Sequence, residues 1–390
     1  MSSGVEIAPH SHGGGAEEAK AAQSKLHQAA SYDVDDFAVP TSRDEQWRFT
    51  PLKRMRGLHD GTATPAGGMT IEADAPEPVV VETVGRDDPR IGRAGIPTDR
   101  VAAQAWSSFE KATVVTVPKE ARPERPVTVS VRGNGATEYG HVVLDVQPFA
   151  EVAIVLDHTG SATYAANLEV NVGDSAQLTL VSLQDWDDDA VHAAHQYIRL
   201  SRDARVKCAI VSFGGDFVRL YPQVIYAEPG GDCEMYGLYF ADAPQHLEHR
   251  LFVDHSVADC RSRVEYKGAL QGEDAHTVWI GDVLIRPEAL GTDTYELNRN
   301  LVLTDGARAD SVPNLEILTG EIVGAGHASA TGQFDDEQLF YLQSRGIPEL
   351  EARRLVVRGF FADLIDKIEV AEIRERLIDR VEQELLAVGT

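Results

Sequence analysis

Between about Val79 and Ile322 the chain repeats one kind of segment, a short β-type run closed by a polar or glycine-containing turn. ATVVTV, HVVLDV, NLEVNV, VKCAIVSF and TVWIGDVLI are among a dozen such runs, and many alternate apolar with polar side chains. No amphipathic helical segment separates them, so a sheet built from βαβ units is excluded. A dozen strands are also too many for a small barrel. Two architectures remain: a large sandwich, or a β-helix whose coils each supply two or three strands. Paired hairpin signals such as Asn-Gly or Asp-Gly at two-residue spacing are missing between the runs. That favours the β-helix, although Gly214-Gly215 and Gly230-Gly231 are each suited to a hairpin. No segment repeats identically.

The flanks differ in character. Residues 1 to about 15 are rich in Gly, Ser and His and are expected to be disordered, and Ala16 to Ala30 suits a short helix. Ser42 followed by Glu45 reads as a capping box opening a short helix, with Trp47 as its anchor on the body. From Phe334 onward the period becomes helical. Val357, Phe360, Phe361, Leu364, Ile365 and Ile368 fall three and four apart, and Val370, Ile373, Leu377, Val381, Leu385 and Val388 continue the stripe. Such a stripe is expected to pack on the β body, with a partner-docking role for the outer face as the alternative. Four regions follow: a partly disordered, partly helical N-terminal region over 1–60, a linker over 61–78, a β core over 79–333 and a helical region over 334–390.

Sixty-two acidic residues against 36 basic ones give a formal charge of −26. Such a surface repels phosphate backbones and anionic lipid heads, so neither nucleic acid nor membrane is expected as a partner. Cys208, Cys233 and Cys260 are too few and too scattered for a disulfide framework or a CxxC knuckle. With no apolar run near the roughly 20 residues of a membrane span and no secretory pattern in MSSGVEIAPHSHGGG, a reducing cytoplasm is the expected location.

Chemistry-bearing residues are sparse. Pro313–Ile347 runs from a strand-like segment at Leu315 and Ile317 through Gly324 and Gly326 to His327. The acidic helix start Asp335-Asp336-Glu337 follows, and acidic side chains are favoured at that end of a helix. Gly346 and Pro348 end that helix and prime the next. His327 is thus expected in a glycine-flanked turn between β and helical regions, either as a metal ligand or as a turn histidine bonded to backbone carbonyls. Gln245–His255 holds three histidines. Strand alternation sets His249, Val253 and His255 on one face and His246, Glu248 and Asp254 on the other, and surface-edge polarity is the expected role. His192 and His195 follow Asp187–Asp189 and read as part of an acidic, solvated loop. Cys208 and Cys260 read as inward-facing core thiols. The P-loop, GxSxG, GxGxxG and ferredoxin-type cysteine patterns are absent.

Several stretches, in order, carry a family resemblance. They are PTSRDEQWRFTPL from Pro40; Asp254-His255 with Cys260, Ser262 and Tyr266-Lys267-Gly268; Trp279-Ile280-Gly281-Asp282; Asn298–Leu303; Pro313–Ile317; and GHASATGQFDDEQLFYLQSRGI. Together they resemble the SufB/SufD family of iron–sulfur cluster assembly scaffolds, its SufD branch in particular. The resemblance covers residues 40 to about 55 and about 245 to 370. It implies a mainly β fold, a right-handed parallel β-helix core flanked by N-terminal and C-terminal helical regions. It also implies a non-catalytic subunit that pairs with a SufB-like partner. A SufC-type ATPase would dock on helices spanning about 335 to 370, where Phe340, Tyr341, Arg345, Arg354, Arg358 and Phe361 are the candidate contacts. When alone, the chain is open to forming a homodimer. The implied cargo is iron or a nascent, transient Fe–S cluster at the partner interface, with His327 as its ligand here; flavin binding is left open. The family's turn often reads Cys-Ser-His, whereas this chain has Ala325-Gly326-His327, so no local thiolate is available. The alternative is a β-helix enzyme acting on a carbohydrate or acidic substrate through Asp254, Asp259 or Asp282 with a histidine.

Overall fold

A computed structural model describes residue 26, residues 29–334 and residues 336–387. The disorder expected for residues 1–15, most of the helix expected over Ala16–Ala30, Asp335 and Val388 lie outside the described residues.

The described strands form two nine-stranded sheets. β1 (Thr70–Asp74) and β2 (Val80–Val84) come first. One sheet then takes β3 (Ala112–Val117), β5 (Thr137–Val146), β7 (Thr163–Val172) and β9 (Val191–Leu200). It continues with β11 (Phe217–Tyr226), β13 (His246–His255), β15 (His276–Ile285) and β17 (Arg308–Ile317). The other takes β4 (Val127–Arg132), β6 (Glu151–Gly160), β8 (Gln177–Trp186) and β10 (Arg205–Ser212). It ends with β12 (Asp232–Ala241), β14 (Arg261–Leu270), β16 (Asp293–Val302) and β18 (Gly324–Gln333). From β5 onward each strand pairs in parallel with the strand two before it. The chain is therefore a parallel β-solenoid of about eight turns. No sandwich forms. Gly214-Gly215 and Gly230-Gly231 join strands of different sheets and make no hairpin.

Side chains alternate across a strand, so one face of each sheet fills the lumen. Val129, Leu144, Ile154, Val170, Leu180, Ile198 and Leu220 form its apolar core. At each of six connections into an even-numbered strand, a left-handed residue sits two positions before the strand begins. These residues are Phe149, Ser175, Asp203, Gly230, Asp259 and Gly291, with φ between 54° and 86°. The left-handed conformation costs a non-glycine residue about 1–2 kcal/mol, so the coil geometry imposes the corner on side chains that do not favour it.

The two outer faces are covered differently. The segments on either side of β1 and β2 lie on the odd-strand sheet, where Trp47, Met55, Leu58 and α1 (Arg100–Ser108) pack on Tyr139, Val191 and Phe217. Trp47 is the anchor expected of it, but the capping box is not formed. The short 3₁₀ turn Glu45–Trp47 starts at Asp44, which accepts from the Thr41 N–H at 2.7 Å. The stretch 61–78, expected to be linker, contains β1, which closes the edge of β4 in antiparallel pairing. On the even-strand sheet lie α3 (Glu349–Ile365) and α4 (Ala371–Ala387), preceded by α2 (Asp336–Ser344). Val357, Phe361, Leu364, Ile365 and Leu377 bury their stripe against outward-facing side chains of the sheet such as Leu183, Val211 and Leu238. Ion pairs from Lys267 to Asp363, Lys367 to Glu265, and Arg376 to Asp157 and Asp185 pin the helices to the sheet. Gly346, at φ +86°, ends α2, and Pro348 stands immediately before α3. Among the described residues no helix is long and apolar enough to cross a membrane.

Candidate functional site

The histidines divide by which side of a strand they occupy. His192 and His195, read as part of a solvated loop, are both buried in β9. His192 faces the lumen beside Tyr164, Trp186 and His158, and its Nδ1 lies 2.8 Å from Gln184 Oε1. His195 faces outward, with Nε2 2.9 Å from Asp99 Oδ2. The same Asp99 caps α1 by accepting from the Ala102 N–H. Arg219 donates to Asp99 at 3.3 Å and to Glu248 at 3.0 Å, and its guanidinium lies 3.9 Å from the Trp47 ring centroid. Thr50 donates to the other Glu248 oxygen at 2.8 Å. A buried network of opposite charges thus fastens the N-terminal segment to the sheet. Burial opposes ionisation of Glu248, but Arg219, His246 and Thr50 outweigh it and hold the carboxyl down at about 2.

β13 is equally far from a surface edge, because all ten of its residues are buried. The alternation expected for it is correct. His249 and His255 point into the lumen, bonded to Ser212 at 3.0 Å and Ser262 at 2.9 Å, while His246 and Glu248 face the N-terminal segment. Burial pushes the lumen imidazoles down, to about 4 for His158 and about 3 for His249 and His255. Cys208 and Cys260 are buried as expected, and burial pushes the Cys208 thiol up to about 12. These are structural groups. The carboxylates considered for acid–base chemistry are already engaged: Asp254 by Arg286 at 2.7 Å, and Asp282 by Arg250 at 3.0 Å and Asn314 at 2.7 Å. Asp259 forms a left-handed corner.

The last coil is different. His327 lies in no turn: it is the fourth residue of β18 and is exposed. The sequence reading missed this strand because Gly324, Gly326 and Gly332, with few apolar residues, carry little β propensity. In-register pairing with β16 supplies what propensity does not. Gly326 has a steric role, since a Cβ there would sit 3.2 Å from the Tyr295 ring.

Glu296 is the direct partner of His327 in the β16–β18 ladder, and Asn298 and Asn300 are the partners of Ser329 and Thr331. These positions share the lumen face. Asn298 donates to Tyr239 Oη and accepts from Asn300 and Ser311, while Ser329 donates to Ser311 at 2.7 Å. Glu296 is 1% exposed, yet neither carboxylate oxygen has a hydrogen-bond partner. Burial, reinforced by Asp282, pushes its carboxyl up to about 8. The residue was missed in the sequence because β16 inverts the usual pattern. Its leucines, Leu297 and Leu301, take the outer face, and its Glu and Asn residues take the lumen. Among the described residues no group of three or more His, Cys, Asp or Glu side chains is placed to hold a metal.

Of the proposed docking residues, Phe340 and Tyr341 are 72% and 55% exposed on α2, and Arg345 stacks over the Tyr341 ring at 5.0 Å. Arg358 is exposed beside Glu382, and Arg354 is half-buried beside Glu351. Phe361 does not belong with them. It is fully buried against the sheet, because its place on the helical stripe points it inward.

Comparison with known proteins agrees with this architecture. The SufBD core domain of SUF-system FeS cluster assembly matches residues 129–360. An iron–sulfur cluster assembly SufBD family protein of Mycobacterium bovis is 58% identical over 372 residues, spanning 93% of this chain and 94% of its own length. A SufBD family protein of Mycobacterium leprae is 58% identical over 364 residues, 91% and 93% of the two chains. The iron–sulfur cluster assembly protein SufD of Escherichia coli is 26% identical over 387 residues, 89% of each. The chain belongs to the SufBD family of iron–sulfur cluster assembly proteins.

Proposed function

We propose that this chain is a SufD-type, non-catalytic scaffold subunit that helps assemble nascent Fe–S clusters where its last solenoid coil meets a SufB-like partner. The observation that carries the reading is the last coil of the solenoid, whose edge strands stay parallel, with His327 exposed on its terminal strand and Ile317, Leu318 and Val323 exposed beside it. A free strand edge is a template for another chain's strand, and an imidazole on that edge can ligate iron. This chain's own cysteines are all buried elsewhere, so sulfide and thiolates would come from the partner. A SufC-type ATPase would dock on the exposed side of α2 and α3 around Phe340, Tyr341, Arg345 and Arg358. Because α3 is ion-paired to the sheet, movement of the ATPase could reach the coil ends mechanically.

Co-expression with the cognate SufB-like and SufC-type proteins, followed by affinity purification on this chain, tests the reading. A stable complex containing both is expected. Failure to retain either partner would contradict it.

A further inference from the structure

We propose that Glu296 and His327 form a two-ligand site for ferrous iron at the open end of the solenoid lumen. The inference deepens the function proposed above and rests on it in one respect, since it takes His327 as an iron ligand. Its new element is the carboxylate.

The two residues are ladder partners, one strand apart on the lumen side of β16 and β18. Between neighbouring strands the backbone separation is about 4.8 Å, within reach of one ion for a glutamate and an imidazole. The carboxylate's surroundings are arranged to receive something. Gly281 leaves it space, since a Cβ there would stand 2.9 Å from Glu296 Oε1 and 2.4 Å from the Trp279 ring. Of its lumen neighbours, Thr294 bonds Ser262 at 2.6 Å and Asn298 serves Tyr239, Tyr266 and Ser311, while the Tyr266 hydroxyl and the Trp279 indole N–H are themselves without partners. Both carboxylate oxygens are left without a donor, in a place nearly sealed from solvent. Buried polar groups are normally satisfied, and an ion held between this side chain and His327 would satisfy it. Imidazole and carboxylate together suit ferrous iron. Other coordination positions would be filled by sulfide or thiolates from outside the chain, approaching on the side of the exposed His327.

Anaerobic titration of the full-length chain with Co²⁺, followed by visible absorption, tests the site without cluster assembly. His10 and His12 will also take cobalt, so the signal is the part of the spectrum lost in His327→Ala. Glu296→Gln, which keeps the side chain's size, is expected to weaken that component at least about tenfold. The double variant should lose little more than either single one, as expected of two ligands to one ion. Glu296→Asp, which keeps the charge, should retain part of the binding and guards against a folding defect in the glutamine variant. Wild-type-like cobalt binding by Glu296→Gln, or no His327-dependent component at all, would overturn the two-ligand site. The broader reading would then still stand or fall on complex formation and cluster content, which do not depend on Glu296.

Discussion

The first and last coils of the solenoid are built to opposite ends. At the first, β1 and β2 turn antiparallel onto β4 and β3 and are themselves half-buried or exposed edge strands, over a lumen of Val115, Val129 and Val131. At the last, β17 and β18 are edge strands, and their residues are half-buried or exposed. The lumen there changes from valine to Glu296, Asn298, Ser311 and Ser329. Both ends carry edge strands, so what separates them is antiparallel capping over valine at the first and parallel strands over a polar lumen at the last. The function proposed above places the junction at the last.

The largest effect should come from the covered half. Arg219→Ala removes the cation shared by Asp99 and Glu248 and leaves two buried carboxylates facing each other. A loss of about 3–5 kcal/mol is expected in urea unfolding. A loss under about 1 kcal/mol would mean that the network does not hold the N-terminal segment.

At the open end, Ile317→Asp with Val323→Asp should leave unfolding nearly unchanged, since both positions are exposed. Affinity for the SufB-like partner, read by surface plasmon resonance, should fall by roughly 100-fold, as for the loss of an interface hot spot. Unchanged affinity would move the junction elsewhere.

The lumen histidines of the middle coils predict acid sensitivity. Their folded pKa values lie below the ordinary value near 6.5, about 3 for His249 and about 4 for His158. The unfolded chain therefore binds more protons, and the stability these residues contribute is complete above pH 6.5. It is lost as pH falls toward 3–4, at about 1.4 kcal/mol per unit of displacement. His249→Gln should flatten the dependence of the urea midpoint on pH between 6.5 and 4. A slope equal to wild type would exclude the imidazole as its source.

The smallest effect is expected for Ser311→Ala. Asn300 still serves Asn298, so a loss of about 1 kcal/mol or less should follow. A larger loss would show that the open end is more tightly built than its exposure suggests.

The solenoid was legible because its strands are apolar and follow one another without helices. Its period was not, because the coils share a backbone geometry and no residue type: Phe, Ser, Asp and Gly all occupy the same left-handed corner. β18 escaped notice through its glycines, although it is a full strand in register. The histidines of β9 and β13 read as surface because their burial depends on what covers them. His195 is hidden by Asp99 at the cap of α1, 96 residues away in sequence, and His249 by a lumen that no single strand reveals. The helical stripe was visible, yet Phe361 shows that membership of the stripe and membership of the outer face exclude each other. His327 stood out by its motif. Glu296 could be found only from the register that sets it beside that histidine.

The central claim is that the open end carrying His327 is where clusters are assembled. Its most direct test is the iron and acid-labile sulfide content of the complex purified with the SufB-like and SufC-type partners, wild type against His327→Ala. An intact complex that loses both iron and sulfide on substitution is the predicted result. Equal iron and sulfide in the two complexes would contradict the claim and leave His327 as a residue of the edge strand alone.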